Sequence, residues 1–387
     1  MLERVLLTAD VVYNGVGLPL ENAAVLVAKE SSLDLGTVVT FGKLAELRPL
    51  YPDARVEHLG RAILPKPVNA HTHLDLSAVA FKAAPYTPWI GYVISQRELR
   101  NLAAAERGLE SIRASNTTVF GDIVARAEVM PFLLSQEGVS GVAYWEVLGA
   151  DPDQADQILQ DTVEKIREWR KLERPNGIRV GLSPHTAHTV SSVLMKKLVA
   201  FAKLEGLPLQ IHIAESPTEF EMFQTGSGAL AQSITRAFNL PLIRIFGREP
   251  GTDLTPVNHL EQLGVLEAKP TLIHAVNVLE SDVQVIAKAG CTVVTCPRSN
   301  KNLECGVFPW QLFARYGVEV ALGTDSVASG ETLNIYDEAI AAITIHGSFL
   351  GWRSIVRFAS RGGYKALGMK TPTVHRGDAF SSLTVWK

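Results

Sequence analysis

Residues 68–77 read VNAHTHLDLS and place His71 and His73 directly after a short apolar run. Such a run is consistent with a buried strand, and the two histidines then lie at its carboxyl end. The pair alone is explained equally well by a metal site and by two polar residues at the edge of a loop. The distinction depends on whether other segments of the chain supply further ligands in the same place.

The segments that follow predict the fold. From about residue 62 onward, short apolar runs alternate with segments of helical period, which is typical of βα units around a parallel sheet. The strand candidates are RAILPKPVNAH (61–71), TTVFGDIV (117–124), GVAYWEVLG (141–149), IRVGLSPH (178–185), LPLQIHIAE (207–215), PTLIHAV (270–276), CTVVTCP (291–297) and VEVALGTDS (318–326). The helix-like segment before the fifth candidate ends at Gly206, a good stop signal. Eight strands with intervening helices predict an α/β protein with a (β/α)8 TIM-type barrel.

The two ends of the chain have a different pattern. LLTADVVYNG (6–15), ENAAVLVAKE (21–30) and TVVTFGK (37–43) are short β-type segments, and the tail offers one or two more. We therefore predict a small β-sandwich built from residues 1–61 and 376–387, beside a barrel of residues 62–375. Residues 217–267 form a longer connection than one crossover helix needs, which makes them a candidate lid over the substrate pocket.

Composition narrows the classes of partner. The net charge is −3, from 37 basic and 40 acidic residues, and no long run of either sign occurs. This balance argues against binding to nucleic acid or to anionic membranes. No apolar stretch approaches the roughly 18 residues of a membrane span, and the first residues do not form a secretory signal. The three cysteines (Cys291, Cys296 and Cys305) are few and odd in number, so reduced, buried thiols in a cytoplasmic protein are expected.

Metal-capable side chains recur at the ends of the predicted strands, where barrel enzymes build their sites. They are His71 and His73 after the first strand, His212 in the fifth, His274 in the sixth and Asp325 after the eighth. Taken singly, a strand histidine is more often a hydrogen-bonded core residue, and Asp325 can serve as a helix cap. Together they favour a metal site, because the alternative needs several independent coincidences at one edge of the sheet.

The ligand types predict the chemistry. Neutral imidazoles with one carboxylate suit a single Zn²⁺, and Fe²⁺ nearly as well. Such an ion lowers the pKa of bound water from 15.7 to about 7, which supplies hydroxide for hydrolysis. Glu215 follows His212 by three residues and is placed to move protons, while Asp325 can accept the proton of the water.

The order of these motifs resembles the amidohydrolase superfamily along nearly the whole chain. In its single-metal deaminases, the resemblance implies that His71, His73, His212 and Asp325 bind the metal. It also implies that Glu215 transfers protons and that His274 orients or polarises the attacked group.

Further stretches are similar to the deaminase and chlorohydrolase branch of that superfamily. SPHTAHTVS (183–191) resembles the branch's Pro-His motif, which implies that His185 contacts the substrate. CPRSNKNLECGVFP (296–309) resembles its stretch after the seventh strand. Two departures matter: no lysine ends the fourth strand, which favours one metal over two, and Asn277 stands where many relatives have a second histidine.

The resemblance implies a metal-dependent aminohydrolase that attacks an aromatic carbon beside a ring nitrogen and releases ammonia. A 6-aminopurine nucleoside is the favoured small-molecule substrate, with 6-aminodeoxyfutalosine of menaquinone biosynthesis first. The alternatives are deamination of adenosine, S-adenosylhomocysteine, guanine or cytosine, dechlorination of a triazine, and hydrolysis of a cyclic amide. A barrel without enzyme activity is disfavoured, since every ligand position is filled. A homodimer is the default expectation.

Four more residues are candidates for substrate contact. Trp89 and Trp145 offer aromatic faces for stacking on a purine, Arg97 offers a partner for a carboxylate, and Glu146 ends the third strand beside Trp145. The alternatives are ordinary packing for the tryptophans and a solvated helix face for Arg97.

Overall fold

The structure, a computed structural model, describes residues 2–31 and 34–387. Its strands are β1 (Glu3–Val12), β2 (Leu20–Lys29), β3 (Thr37–Lys43), β4 (Arg55–Pro65), β5 (Val68–Thr72), β6 (Val119–Val124), β7 (Ser140–Val147), β8 (Ile178–Pro184), β9 (Gln210–Ile213), β10 (Thr271–His274), β11 (Thr292–Thr295), β12 (Val320–Leu322) and β13 (Leu383–Trp386).

The helices fill the connections between these strands. They are α1 (Leu44–Leu50), α2 (Tyr86–Ser95), α3 (Leu102–Ala114), α4 (Val129–Ser135), α5 (Ala155–Arg170), α6 (Ser192–Glu205), α7 (Pro217–Thr225), α8 (Gly228–Phe238), α9 (Leu242–Phe246), α10 (Pro256–Gln262), α11 (Glu280–Ala289), α12 (Pro297–Asn302), α13 (Trp310–Arg315), α14 (Val327–Gly330), α15 (Ile335–His346), α16 (Trp352–Arg357) and α17 (Gly363–Ala366).

Both ends of the chain share one sheet, in the order β13-β4-β1-β2-β3. β1 runs antiparallel to β2 and parallel to β4, and β13 closes the sheet by antiparallel pairing with β4. This joining of the two termini agrees with the sequence-based expectation. The second layer of a β-sandwich stays a prediction.

The predicted first barrel strand, 61–71, is wrong as a single element. β4 ends at Pro65, and β5 begins at Val68, so the segment is divided between two sheets. Pro65 and Pro67 lack backbone N–H groups and therefore cannot continue a ladder on both sides. Residues 62–65 consequently pair within the terminal sheet, where Leu64 lies opposite Thr384.

The remaining strands form two parallel sheets, in the orders β5-β6-β7-β8 and β9-β10-β11-β12. Every later strand candidate of the sequence has its counterpart here, which confirms the parallel α/β class. Isolated parallel bridges connect the two sheets at both edges: Leu182 with Leu209, and Thr72 with Asp325. The second bridge brings the carboxyl ends of β5 and β12 side by side.

Helix α6 shows how local signals set the connections. The Ser191 side chain accepts a hydrogen bond from the N–H of Leu194 at the start of the helix. At its end, Gly206 is the helix stop that the sequence predicts, and it adopts a left-handed conformation with φ of 66°. The chain then enters β9, which carries His212.

The long connection between β9 and β10 is folded rather than irregular, since it contains α7, α8, α9 and α10. Its role as a lid stays a prediction. The three cysteines are buried and free, as expected. Among the described residues, no helix combines the length and the apolarity that a membrane crossing requires.

Candidate metal and catalytic site

The carboxyl ends of four strands bring the predicted metal-capable side chains together. His71 lies in β5, His73 just after it, His212 in β9, His274 at the end of β10 and Asp325 beyond β12. Possible ligand atoms lie within 4.8 Å of one another in three overlapping sets: His71, His212 and His274; His71, His73 and Asp325; and Glu215, His274 and Asp325.

The nitrogen atoms of this cluster converge on the Asp325 carboxylate. Its Oδ1 atom lies 3.5 Å from His73 Nε2 and 3.8 Å from His71 Nε2. His212 Nε2 lies 3.3 Å from His73 Nε2. The other carboxylate oxygen of Asp325, Oδ2, accepts hydrogen bonds from the hydroxyls of Ser299 (2.7 Å) and Ser329 (3.0 Å), which hold the carboxylate in place.

Hydrogen bonds to the far side of the rings set their tautomers. Gln210 Nε2 donates to the Ala70 carbonyl, so its Oε1 accepts from His71 Nδ1 at 3.1 Å. Asn300 Nδ2 donates to the Thr295 hydroxyl at 3.1 Å, and Asn300 Oδ1 accepts from His274 Nδ1 at 3.0 Å. Each ring therefore carries its proton on Nδ1 and presents an Nε2 lone pair to the cluster.

His212 is held similarly by the backbone. Its Nδ1 lies 3.3 Å from the carbonyl oxygen of His185, an acceptor, so this nitrogen donates and Nε2 is left as a lone pair. This contact also places the two rings side by side, with centroids 5.1 Å apart.

The cluster has the properties of a metal site. Burial lowers the pKa of His71 to about 4, and burial likewise lowers the pKa values of His73 and His212 well below 6.5. The rings are thus neutral, as metal ligands must be. His71 Nε2 is buried and has no hydrogen-bond partner among the described residues. Converging imidazole lone pairs beside a carboxylate fit a divalent metal ion.

Backbone conformation helps to aim these side chains. Ala214, His274, Ala275 and Asp325 all adopt left-handed φ angles, between 46° and 71°. Such angles cost about 1–3 kcal/mol for residues other than glycine and concentrate at functional sites. The N–H of Asp325 donates to the His71 carbonyl at 3.1 Å, which fixes the turn that follows β12.

Glu215 lies beside the cluster with an acid–base character suited to pH 7. Its Oε1 is 3.6 Å from His274 Nε2. Burial raises the pKa of Glu215 to about 7, with His274 acting in the opposite direction. The buried Tyr86 side chain, near the Glu215 carboxyl group, also acts to lower its pKa, and the backbone N–H of Glu215 donates to Glu219 Oε2 at 2.8 Å.

Two of the predicted substrate residues lie next to the cluster. His185 Nε2 is 3.8 Å from Glu146 Oε1, and the His185 side chain keeps 24% of its surface exposed. Glu146 also lies 3.4 Å from the Nη2 atom of Arg100. Arg100 was missed by the sequence analysis, although it stands only three residues after the arginine that was selected.

Among the described residues, no hydrogen bond or ion pair joins Trp89, Trp145 or Arg97 to the cluster, so their contact with the substrate stays a prediction. Trp145 points to the opposite side of β7 from Glu146, where it packs against Trp169 at a centroid distance of 5.0 Å. The Trp89 indole is buried and donates to the Ala328 carbonyl. Arg97 is 72% exposed and pairs with its neighbour in the sequence, Glu98.

Several supporting residues were also missed by the sequence analysis. The sequence did contain indications of these residues. Ser299 and Asn300 belong to the CPRSNKNL run, which resembles the family, and Gln210 lies on the same strand face as His212. Asn277, the departure from the family pattern, donates to the backbone carbonyls of Glu215 and Cys305 at 2.7 and 2.9 Å. It therefore joins the loops after β10 and β11 to the site.

Cavities flank the site. One, of about 300 Å³, is lined by Tyr86, Ser216 and Thr218, next to Glu215 in sequence. Another, of about 370 Å³, is lined by Asn300 and by the aromatic rings of Phe308 and Trp310.

A parallel α/β architecture with a buried histidine–aspartate group at the strand ends is typical of metal-dependent enzymes that build their site at the carboxyl ends of parallel strands. The amidohydrolase family model matches residues 62–385, so the chain belongs to the amidohydrolase family, as its motifs predict.

Named relatives align with this sequence over most of its length. The aminodeoxyfutalosine deaminase of Deinococcus radiodurans is 49% identical over 384 residues, which cover 99% of this chain and 90% of that protein. The 5-methylthioadenosine/S-adenosylhomocysteine deaminase of Carboxydothermus hydrogenoformans is 25% identical over 330 residues, covering 81% of this chain and 70% of that protein.

Solved structures share the fold. The aminofutalosine deaminase of Helicobacter pylori in complex with methylthio-coformycin superposes with a TM-score of 0.75 at 19% identity, covering 97% of this chain and 90% of that one. An adenosine deaminase from Xanthomonas campestris with bound zinc has a TM-score of 0.65 at 24% identity, covering 97% and 83%. At these identities the likeness concerns the fold alone.

Proposed function

We propose that this protein is a metal-dependent hydrolase that deaminates 6-aminodeoxyfutalosine, a reaction of menaquinone biosynthesis. The observation that carries the proposal is the 49% identity with the Deinococcus radiodurans aminodeoxyfutalosine deaminase over 99% of this chain. The buried histidine–aspartate group beside a glutamate of near-neutral pKa supports the same chemistry. Membership in the amidohydrolase family confirms the hydrolase class.

Four residues would hold the metal: His71, His73, His212 and Asp325. Zn²⁺ is favoured and Fe²⁺ is the alternative, since both accept imidazole and carboxylate ligands. When bound, such an ion acts as a Lewis acid that lowers the pKa of water at the site.

Glu215, His274 and Asp325 would carry the catalytic roles. Water adds to the carbon that bears the amino group, and Asp325 and Glu215 accept its protons. Glu215 returns its proton to the adjacent ring nitrogen. The proton held by Asp325 then passes through the neighbouring Glu215 to the leaving amine, so a C–O bond forms, the C–N bond breaks and ammonia departs. A carboxyl group with a pKa of about 7 can both accept and donate at neutral pH.

His274 would orient the attacked group beside Glu215, since Asn300 fixes its ring. His185 would meet the ring of the substrate, because it is the most exposed histidine beside the cluster.

The architecture is proposed to follow the same family. The bridges at both edges support closure of the two parallel sheets into one (β/α)8 barrel, with the terminal sheet as an accessory unit. Side chains from both sheets also share one buried cluster, including Val68, Val142, Ile273 and Val294. A homodimer, a cytoplasmic location and a role without nucleic acid stay predictions.

A substrate panel tests this function. Metal-loaded protein is assayed for ammonia with 6-aminodeoxyfutalosine, adenosine, S-adenosylhomocysteine, guanine and cytosine, and for chloride with a chlorotriazine. The proposal requires fastest turnover of 6-aminodeoxyfutalosine. A higher kcat/KM for another amine keeps the chemistry and replaces the substrate, whereas no turnover of any compound by protein with bound metal refutes the function.

A further inference from the structure

Glu146 is a buried carboxylate with an unused acceptor. It ends β7 on the side that faces the site, and only 7% of the residue is exposed. Its Oε2 faces Arg100 Nη2 at 3.4 Å. Its Oε1 faces His185 Nε2 at 3.8 Å, beyond hydrogen-bond distance. Because a buried carboxylate is costly without donors, this oxygen is suited to accept hydrogen bonds from a bound ligand.

Arg100 explains why the position does not suit an anionic group. Its Nε donates to Asp75 Oδ2 at 2.8 Å. Its Nη2 has no hydrogen-bond partner among the described residues but forms an ion pair with Glu146 Oε2 at 3.4 Å. One guanidinium thus lies between two buried carboxylates, which leaves no positive charge for a carboxylate of the substrate. The ligand group at Glu146 is therefore a hydrogen-bond donor rather than an anion, and the sugar of the proposed substrate offers hydroxyl groups of this kind.

His185 shows which part of the substrate lies there. Its Nδ1 hydrogen-bonds the Thr189 hydroxyl at 2.8 Å, so Nε2 is the nitrogen left to meet a substrate ring. The His212 ring contacts both the His185 ring and the His274 ring, at centroid distances of 5.1 and 5.7 Å, and Glu215 Oε1 lies 3.6 Å from His274 Nε2. His185 and Glu215, the proton-transfer residue, therefore lie at opposite ends of this row of three rings. With the amino-bearing end of a purine at Glu215, the end near His185 is the one that carries the sugar.

We propose that Glu146, held by Arg100, accepts hydrogen bonds from the ribose hydroxyls of the substrate and makes the site select ribonucleosides. This inference rests on the proposed function. In this proposal Glu146 binds the ribose and distinguishes ribonucleosides from their deoxy analogues, whereas Glu215 transfers protons during the reaction. The expected signature is therefore a change in KM and in the preference for hydroxyl groups, with a smaller change in kcat.

The test compares 6-aminodeoxyfutalosine with its 2′-deoxy and 3′-deoxy analogues, for the wild type, Glu146→Gln and Glu146→Ala. Gln keeps the shape of the side chain and offers a neutral acceptor, while Ala removes the acceptor. Glu98→Gln, at an exposed glutamate, is the matched control. Thermal unfolding and metal content establish that each variant is folded and loaded.

We expect the wild type and Glu98→Gln to prefer the ribonucleoside over at least one deoxy analogue by about 10- to 100-fold in kcat/KM, as for a hydrogen bond to a charged group. The preference falls in Glu146→Gln and disappears in Glu146→Ala. An equal preference in the wild type and both Glu146 variants overturns the inference and leaves the deaminase intact. Failure of the wild type to turn over 6-aminodeoxyfutalosine overturns both.

Discussion

The carboxylate of Glu219 accepts a hydrogen bond from the backbone N–H of Glu215 at 2.8 Å. Glu219 lies in the first turn of α7, and its own N–H donates to the Ser216 hydroxyl at 3.2 Å. The S-x-x-E run that caps this helix therefore also fixes the loop that carries Glu215. Ala214, the preceding residue, has a left-handed φ of 49°, so the loop needs such a restraint.

Removal of this restraint is expected to slow the reaction without removing the metal. Glu219→Ala leaves the N–H of Glu215 buried without its acceptor, and a misplaced Glu215 transfers protons poorly. We expect kcat to fall about 10- to 100-fold, which corresponds to about 1–3 kcal/mol. Steady-state kinetics and metal analysis measure the two effects. Glu221→Ala, at an exposed position of the same helix, is the control, and equal kcat values for the two variants contradict the prediction.

Glu215→Gln separates proton transfer from metal binding. The amide keeps the shape of the side chain but cannot accept and return protons near pH 7. We expect turnover to fall at least about 100-fold, within the range for loss of a general acid–base, while bound metal stays at the wild-type level. The bound metal and the rate of ammonia release are measured on the same preparation, so that the two effects can be separated. Retained activity would remove Glu215 from the mechanism.

Loss of one proposed ligand is expected to release the metal. His73 Nε2 lies 3.5 Å from Asp325 and 3.3 Å from His212, so His73→Ala removes a central donor. We expect a lower metal content per chain and a lower Tm in the presence of metal, because an ion that binds only the folded state stabilises it. His375→Ala, at an exposed histidine, is the control. Metal content and Tm equal to those of the control would show that His73 is not a ligand.

His259 lies in α10, is not part of the histidine–aspartate cluster, and is expected to make the fold sensitive to acid. Ser192 Oγ donates to the Phe246 carbonyl, so it accepts from His259 Nε2 at 3.2 Å. His259 Nδ1 is buried without a partner among the described residues. Burial, with smaller effects of Arg248 and Lys196, lowers the pKa of His259 to about 4.

This depressed pKa means that the unfolded chain binds more protons than the folded chain between pH 6.5 and about 4. The stability contributed by neutral His259 is therefore complete above pH 6.5 and is lost as the pH falls to about 4. At pH 5 we expect a loss of about 2 kcal/mol relative to pH 7. Thermal unfolding of the wild type and of His259→Gln at both pH values tests this. Between pH 7 and pH 5 the Tm of the wild type should fall by more than the Tm of the variant. Equal decreases in the two proteins would show that His259 is not the source of the acid sensitivity.

The proximity of the proposed metal ligands was predictable from the sequence because parallel strands share a direction. Residues at the carboxyl ends of β5, β9 and β10 must lie at one edge of the sheets, whatever the details of packing. His71, His212 and His274 are close for that reason. The tautomers of His71 and His274 depend on Gln210 and Asn300, which only the folded structure brings to the rings.

The residues that face the substrate pocket were less predictable than the histidines, because their positions depend on the direction in which individual side chains point. Trp145 and Glu146 are consecutive in β7, so only one of them can face the site, and the sequence does not say which. Similarly, α2 ends at Ser95, and the short turn after it leaves Arg97 in solvent while Arg100 points inward to Asp75. These outcomes are set by tertiary packing rather than by local pattern.

The most direct test of hydrolytic deamination follows the oxygen atom. Protein with a known metal content is incubated with 6-aminodeoxyfutalosine in water enriched in ¹⁸O, and ammonia and product mass are measured together. Hydrolytic deamination predicts one ammonia per product, one ¹⁸O atom at the carbon that carried the amino group, and neither signal with Glu215→Gln. Product without the label, or no ammonia from metal-loaded wild type, would contradict it.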